Sequence, residues 1–202
     1  MEVREIADLF LQNILQTTLL EVIAVIFGLL SVWYSKKVNI LVFPTGIVSV
    51  LIYVYITFFA KLYADMFING VYFVMSVYGW YHWTHPSPGK QERPVGFANR
   101  IQNIGGLLAT VILFIAMRYI LINFTDSNVP TIDALTTAIF MVGMWLMAIK
   151  KVENWIYWIV GDIISIPLYF YKGLVFTSFQ FLIFLIIAVA GYLAWRKEAQ
   201  HA

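Results

Sequence analysis

Long apolar runs broken by short polar marks set the pattern of this chain. Crossing a hydrocarbon core of roughly 30 Å takes about 20 mostly apolar residues in helical form. Seven stretches meet that test once the polar marks divide them: 18–35, 39–60, 66–84, 104–124, 131–149, 154–171 and 174–195. The longest break runs from His85 to Gln102, where Pro86, Pro88, Gly89 and Pro94 oppose helix and Lys90, Glu92, Arg93 and Arg100 hold the segment in water. Every other connection is a few residues long. Residues 2–15 set Ile6, Leu9, Phe10 and Ile14 against Glu5, Asp8 and Gln12 at helical spacing. That suits a helix lying along the membrane interface, or equally a solvated one.

Composition agrees with the spans. Of 202 residues, 61% are apolar and 12% charged, with mean hydropathy +0.82; soluble domains carry roughly 25% charged residues. A soluble enzyme is therefore excluded, and a net charge of +2 does not mark a nucleic-acid binder. The absence of Cys removes disulfides, thiolate metal sites and Cys nucleophiles. His82, His85 and His201 have no metal-ligand spacing, no Ser or carboxylate pair is set for catalysis, and no cofactor motif is present, so a membrane-embedded enzyme is disfavoured. The opening Met1–Asp8 lacks the basic region of a secretory signal, and insertion is expected to rely on the spans. Seven spans put the termini on opposite sides. The C-terminal side then holds Lys36, Lys37, Lys90, Arg93, Arg100, Lys150, Lys151, Arg196 and Lys197, nine of the 13 basic residues. By the positive-inside rule that side is cytoplasmic, with the N-terminus outside.

The chain resembles itself. A shift of 115 residues aligns Gly28 with Gly143, Lys36 with Lys151, Asn39 with Asn154 and Gly46 with Gly161. A shift of 112 then aligns Gly79 and Trp83 with Gly191 and Trp195. Two three-helix units joined by one connector span point the same way, giving three plus one plus three. Parallel repeats of this kind are a known plan of secondary transporters, with substrate between the units near the midplane. The organisation expected is an N-terminal segment 1–17, a first repeat 18–84, a cytoplasmic loop and connector 85–130, a second repeat 131–197 and a tail 198–202.

An Asp at a span centre costs about 2.5–3.5 kcal/mol on insertion scales, so polar residues there mark the bundle interior. Span six carries Asn154, Trp158, Asp162, Ser165 and Tyr169 at steps of three or four, one helical stripe. Span three carries Asp65, Asn69, Tyr72, Ser76, Gly79 and Trp83; span seven carries Gly173, Thr177, Gln180, Phe184, Ala188 and Gly191. Glu21, Ser49 and Tyr53 could complete the lining. Interhelical hydrogen bonding and close packing explain the serines and glycines equally well, and Asp65 and Glu21 also suit solvated helix ends. The seven Trp fall toward the cytoplasmic ends of their spans, where an aromatic belt is expected, Trp80 and Trp83 included. Trp155 and Trp158 differ: three apart and beside Asn154 and Asp162, they can clasp a flat ring, above all a cationic one. Pro44 and Pro167 are expected to kink spans two and six.

Val152-Glu-Asn-Trp-Ile-Tyr-Trp-Ile-Val-Gly-Asp162 resembles the sixth span of the PnuC family of bacterial vitamin transporters, which carries Trp-x-x-Trp after an Asn. Asn39–Gly46 is similar to the partner segment, and Val77-Tyr-Gly-Trp-Tyr-His-Trp83 to the end of the family's third span. The resemblance implies an all-α integral membrane protein with seven transmembrane helices and a SWEET-like 3+1+3 fold. It implies import of nicotinamide riboside by facilitated diffusion with alternating access. Trp155 and Trp158 would hold the ring; Asn154, Gln180, Asn69, Asp65 and Tyr72 are candidates for the sugar hydroxyls, with Asp162 and Tyr169 on the same stripe. Phosphorylation by a separate cytoplasmic kinase would trap the vitamin, since the chain has no P-loop pattern. The resemblance also implies a bacterial inner-membrane location and a homo-oligomer, a trimer. Thiamine or riboflavin transport on the same fold, or proton coupling through Asp162, are the alternative readings.

Overall fold

A computed structural model describes residues 8, 10–12, 15, 17–60, 62–86 and 93–201. Most of the N-terminal segment, and Pro88, Gly89, Lys90 and Glu92 of the long loop, lie outside these residues. From Leu19 onward the described residues form seven helices: α1 (Leu19–Lys36), α2 (Val42–Phe59), α3 (Tyr63–Thr84), α4 (Arg100–Phe124), α5 (Pro130–Ala148), α6 (Asn154–Tyr171) and α7 (Val175–His201). Among the described residues α1, α2, α4, α5 and α7 are long and apolar enough to cross a membrane. Asp65 and Asn69 in α3 and Asn154 and Asp162 in α6 lower the hydropathy of the other two.

Helix starts follow local chemistry. Thr18 and Glu21 form a capping box on α1, with Thr18 Oγ1 accepting from Glu21 N at 3.2 Å and Glu21 Oε2 accepting from Thr18 N at 2.7 Å. Asn99 and Gln102 form a second box on α4. Pro130 opens α5, where its missing N–H costs no helix bond. Pro44 sits in the first turn of α2, where its missing N–H again costs nothing, so it gives no reason for a kink. Pro167 is inside α6.

Consecutive helices pack as α1 on α2, α2 on α3, α5 on α6 and α6 on α7, with α3 against α5 and α1 against α7. Exchanging α1, α2, α3 for α5, α6, α7 leaves this set of pairings unchanged. α4 packs on α5 and barely touches α3.

The turns carry the same relation at atomic level, and they correct the register read from identities. Val38 and Lys150, with φ 53° and 56°, are the left-handed residues of the α1–α2 and α5–α6 turns. Val38 N donates to Ser35 O and Lys150 N to Met147 O; Asn39 N donates to Tyr34 O and Lys151 N to Leu146 O. Leu62 N to Thr57 O and Leu174 N to Tyr169 O repeat it after α2 and α6. Each pair is 112 positions apart (38 against 150), so one offset serves all three helices. The identities at 115 (28 against 143) are out of register by three residues. Asn39 thus corresponds to Lys151 rather than Asn154.

Cross-helix bonds from small residues hold neighbours close. Ser31 Oγ donates to Val42 O (2.7 Å), Ser49 Oγ to Ala24 O (2.9 Å) and Ser178 Oγ to Ile166 O (2.8 Å).

Candidate functional site

Between the α1–α3 and α5–α7 halves lies a cavity of about 560 Å³, and α4 contributes nothing to its lining. Pairs at the 112 offset face it from both halves: Phe43 and Trp155, Gly46 and Trp158, Val50 and Asp162, Thr57 and Tyr169, Asn69 and Phe181, Tyr72 and Phe184. The cavity therefore sits on the relation that exchanges the halves.

Of the residues singled out from sequence, Asp65, Asn69, Tyr72, Trp155, Trp158, Asp162, Tyr169 and Gln180 line the cavity, as do Glu21, Ser49 and Tyr53. Asn154 does not. It is fully buried at the start of α6, where its Nδ2 donates to Lys151 O at 2.6 Å. Ser49 spends its hydroxyl on Ala24 O, so it serves packing. Asn69 Nδ2 donates to Asp65 O, one turn back on α3.

The charge of the lining has one sign. Glu21, Asp65 and Asp162 face the cavity, and no Lys, Arg or His of the described residues does. Asp162 is 2% exposed and has no salt-bridge partner among the described residues. Lys172 at the far end of α6 is taken by Asp133 at 2.6 Å, and Ser127 Oγ donates to the other carboxylate oxygen.

One end of the cavity is sealed. Val42, Phe43, Trp83, Met147, Trp155, Ala188 and Trp195 pack there into a single buried cluster. Phe43 meets Trp83 edge-on at 5.0 Å, and Trp155 meets Trp195 edge-on at 5.7 Å. Gly191 seats the Trp155 ring: a Cβ there would lie 2.5 Å from two ring atoms, and Gly79 seats Phe43 in the same way. Trp83 Nε1 donates to Ala148 O (3.1 Å) and Trp195 Nε1 to Ser35 O (2.8 Å). Each indole thus ties the end of α3 or α7 to the last turn of α5 or α1. Both were expected in the belt. A buried ring whose N–H needs a partner is instead spent on closing the seam. Trp33 and Trp80 are exposed, as belt residues would be.

Residues 93–99 are strapped across this end. Gly96 N donates to Lys150 O (3.1 Å) and Val152 N to Gly96 O (3.0 Å). Ala98 N donates to Glu153 Oε2 (2.7 Å), and the buried Lys150 Nζ donates to Arg93 O (2.8 Å) while lying 4.4 Å from the Trp83 ring centroid. Val95 fills the cluster beneath. At the opposite end of the lining, Leu62 and Asp65 are exposed.

Phe43, Phe140, Met144 and Phe181 also line the site and no sequence pattern marked them. Trp158 lies along Phe140 (5.4 Å, 26°), whereas Trp155 is 1% exposed against Gly191. The two indoles therefore offer different surfaces: Trp158 flanks the space and Trp155 closes it from below.

The profile of a family described as nicotinamide mononucleotide transporter matches residues 18–197. Among curated proteins, the chain is 23% identical over 206 residues to the nicotinamide riboside transporter PnuC of Escherichia coli (strain K12), covering 90% of this chain and 86% of that one. It is 27% identical over 188 residues to the nicotinamide riboside transporter PnuC of Neisseria mucosa, covering 87% and 71%. It is 23% identical over 173 residues to the riboflavin/roseoflavin transporter RibM of Streptomyces davaonensis, covering 84% and 81%. Among solved structures, a vitamin B3 transporter PnuC matches its fold with TM-score 0.72 at 24% identity, over 97% of this chain and 90% of that one.

Proposed function

The chain belongs to the PnuC family of membrane transporters, and from that premise we propose that it imports nicotinamide riboside by facilitated diffusion. The observation that carries the reading is the cavity between the two halves, lined by three carboxylates and, among the described residues, no basic group. Nicotinamide riboside is a pyridinium cation. A low-dielectric cleft of one sign concentrates the opposite charge, and an indole face adds roughly 0.5–2 kcal/mol for a cation. The mononucleotide in the family's description adds a phosphate, which that lining opposes. The volume lies within the roughly 300–1,000 Å³ common for small-ligand pockets.

In this reading seven helices span the membrane as SWEET-like 3+1+3, with α1–α3 and α5–α7 as parallel repeats and α4 as connector. The unchanged pairings and the single offset of the turns support it. The ring lies on Trp158 above Trp155 with Asp162 near its charge, and Asn69, Asp65, Tyr72, Gln180 and Tyr169 meet the ribose. The units rock about the cavity. The sealed, Lys-rich end faces the cytoplasm, with the N-terminus outside, so the conformation described is outward-facing. A separate kinase then phosphorylates the cargo and prevents its return. The bacterial inner membrane is the expected location and a trimer the expected assembly, both from family resemblance.

Calorimetric titration of the detergent-purified chain with nicotinamide riboside, against thiamine and riboflavin, tests the cargo. Tight binding of the riboside alone is expected. Trp155→Ala and Trp158→Ala should each weaken it more than about tenfold, roughly 1.4 kcal/mol. Preference for riboflavin would favour the second reading, to which the likeness to RibM points. Uptake into liposomes driven by a pH gradient alone would favour proton coupling through Asp162.

A further inference from the structure

This inference rests on the riboside reading and concerns Phe140. Its ring stacks on Trp158 (5.4 Å, 26°) and on Phe181 (5.9 Å, 11°), and Phe181 stacks on Tyr169 (5.0 Å, 19°). All four line the cavity, so α5, α6 and α7 together present one wall of flat aromatic surface. Phe140 is locked into this wall by a notch at Gly161 on α6, where any Cβ would overlap its ring.

The residues 112 positions earlier (140 against 28) are Gly28, Gly46, Thr57 and Asn69, and these also line the cavity. The opposite wall therefore has no ring where this one has four. A cavity on a near-symmetric relation is thus unequal at these four positions, with stacked rings on one side and small or polar residues on the other, where Phe43, Tyr53 and Tyr72 stand elsewhere in the lining. Phe140 has two consequences for a ligand. It covers part of Trp158 and holds that indole in one orientation. It also puts a ring into the cavity where its counterpart Gly28 has no side chain and packs against Ser49, whose Oγ would lie 3.3 Å from a Cβ there.

We propose that Phe140 is a specificity-determining residue that limits the cargo to a single flat ring by holding Trp158 and occupying the space a fused multi-ring heterocycle needs. The ring of the cargo is directed to the α5–α7 wall, and three of the five groups assigned to its hydroxyls, Asp65, Asn69 and Tyr72, stand on the α1–α3 wall.

The test compares nicotinamide riboside with riboflavin, one ring against three fused rings, by titration of the full chain in detergent. Variants are Phe140→Ala, Phe140→Tyr and Gly161→Ala. Phe140→Ala should weaken the riboside by about tenfold and tighten riboflavin by about tenfold, moving the ratio of the two affinities by about a hundredfold. Phe140→Tyr, which keeps the ring, should hold the wild-type ratio. Gly161→Ala, which displaces the same ring from another helix, should move the ratio the way Phe140→Ala does. An unchanged ratio in Phe140→Ala, whether both affinities fall together or neither moves, overturns the inference. Wild-type protein that binds no riboside overturns instead the reading of function on which it rests.

Discussion

Replacing Lys150 by Met removes a charge from the sealed end of the cavity while keeping most of the side chain's length. Lys150 is 4% exposed, donates to Arg93 O at 2.8 Å and lies 4.4 Å from the Trp83 ring centroid. A hydrogen bond from a charged donor contributes about 1.5–3 kcal/mol and a cation over an indole about 0.5–2 kcal/mol. Relief of the buried charge offsets part of that sum. The net loss should be about 1.5–3 kcal/mol, which raises the population with the strap released roughly 10–100-fold. Because the chain has no Cys, a single Val95→Cys reports on the strap without background. Val95 belongs to the strap, is 3% exposed with its side chain in the buried cluster and does not line the cavity, so a membrane-impermeant maleimide reaches it only when residues 93–99 lift. Labelling from the loop side should quicken about 10–100-fold in Lys150→Met. An unchanged rate would refute the strap as what holds this end closed.

Trp195→Phe and Trp83→Phe each remove one buried indole donor and shrink a ring in the seam; Ala148 O loses its bond from Trp83, whereas Ser35 O keeps the one from Val38 N. Each should cost about 1–3 kcal/mol in denaturant or thermal unfolding in detergent, and equal stability of wild type and both variants would show that the two bonds do not secure the seam. Asp162→Asn, at nearly constant volume, should weaken a cationic riboside by about tenfold and leave an uncharged riboside within about threefold; equal losses for both ligands would remove its electrostatic role. Gly191→Ala drives a Cβ to 2.5 Å from the Trp155 ring, so it should destabilise by about 1–3 kcal/mol and impair binding together, whereas full binding at lowered stability would separate Trp155 from the site.

Polar residues told the interior from the sequence because they are expensive in a membrane. Asp65, Asn69 and Tyr72 on α3, and Trp158, Asp162 and Tyr169 on α6, stood out by spacing, and the fold brings them to one cavity. Asn154 shares their stripe yet lies outside the lining, because at the first turn of α6 its amide is used on Lys151 O. Phe140 and Phe181 were invisible. Lipid is as apolar as a protein core, so hydropathy cannot separate a Phe facing a cavity from one facing acyl chains. The self-comparison, right at 112 for the third helix of each half, slipped to 115 in the first two for a related reason. A slip of three residues is close to one turn of helix, so chance identities three positions off fall on nearly the same face.

By itself, then, the sequence determined where the long apolar helices lie, the charge asymmetry and which faces are too polar for lipid, since each follows from the cost of moving a side chain or peptide group out of water. Only the tertiary structure decided the register of the repeat, the burial of Trp83 and Trp195 in the seam, the strap over the sealed end and the aromatic wall around Phe140. Those depend on which helix stands opposite which, and the contacts that set it are between residues that hydropathy treats alike.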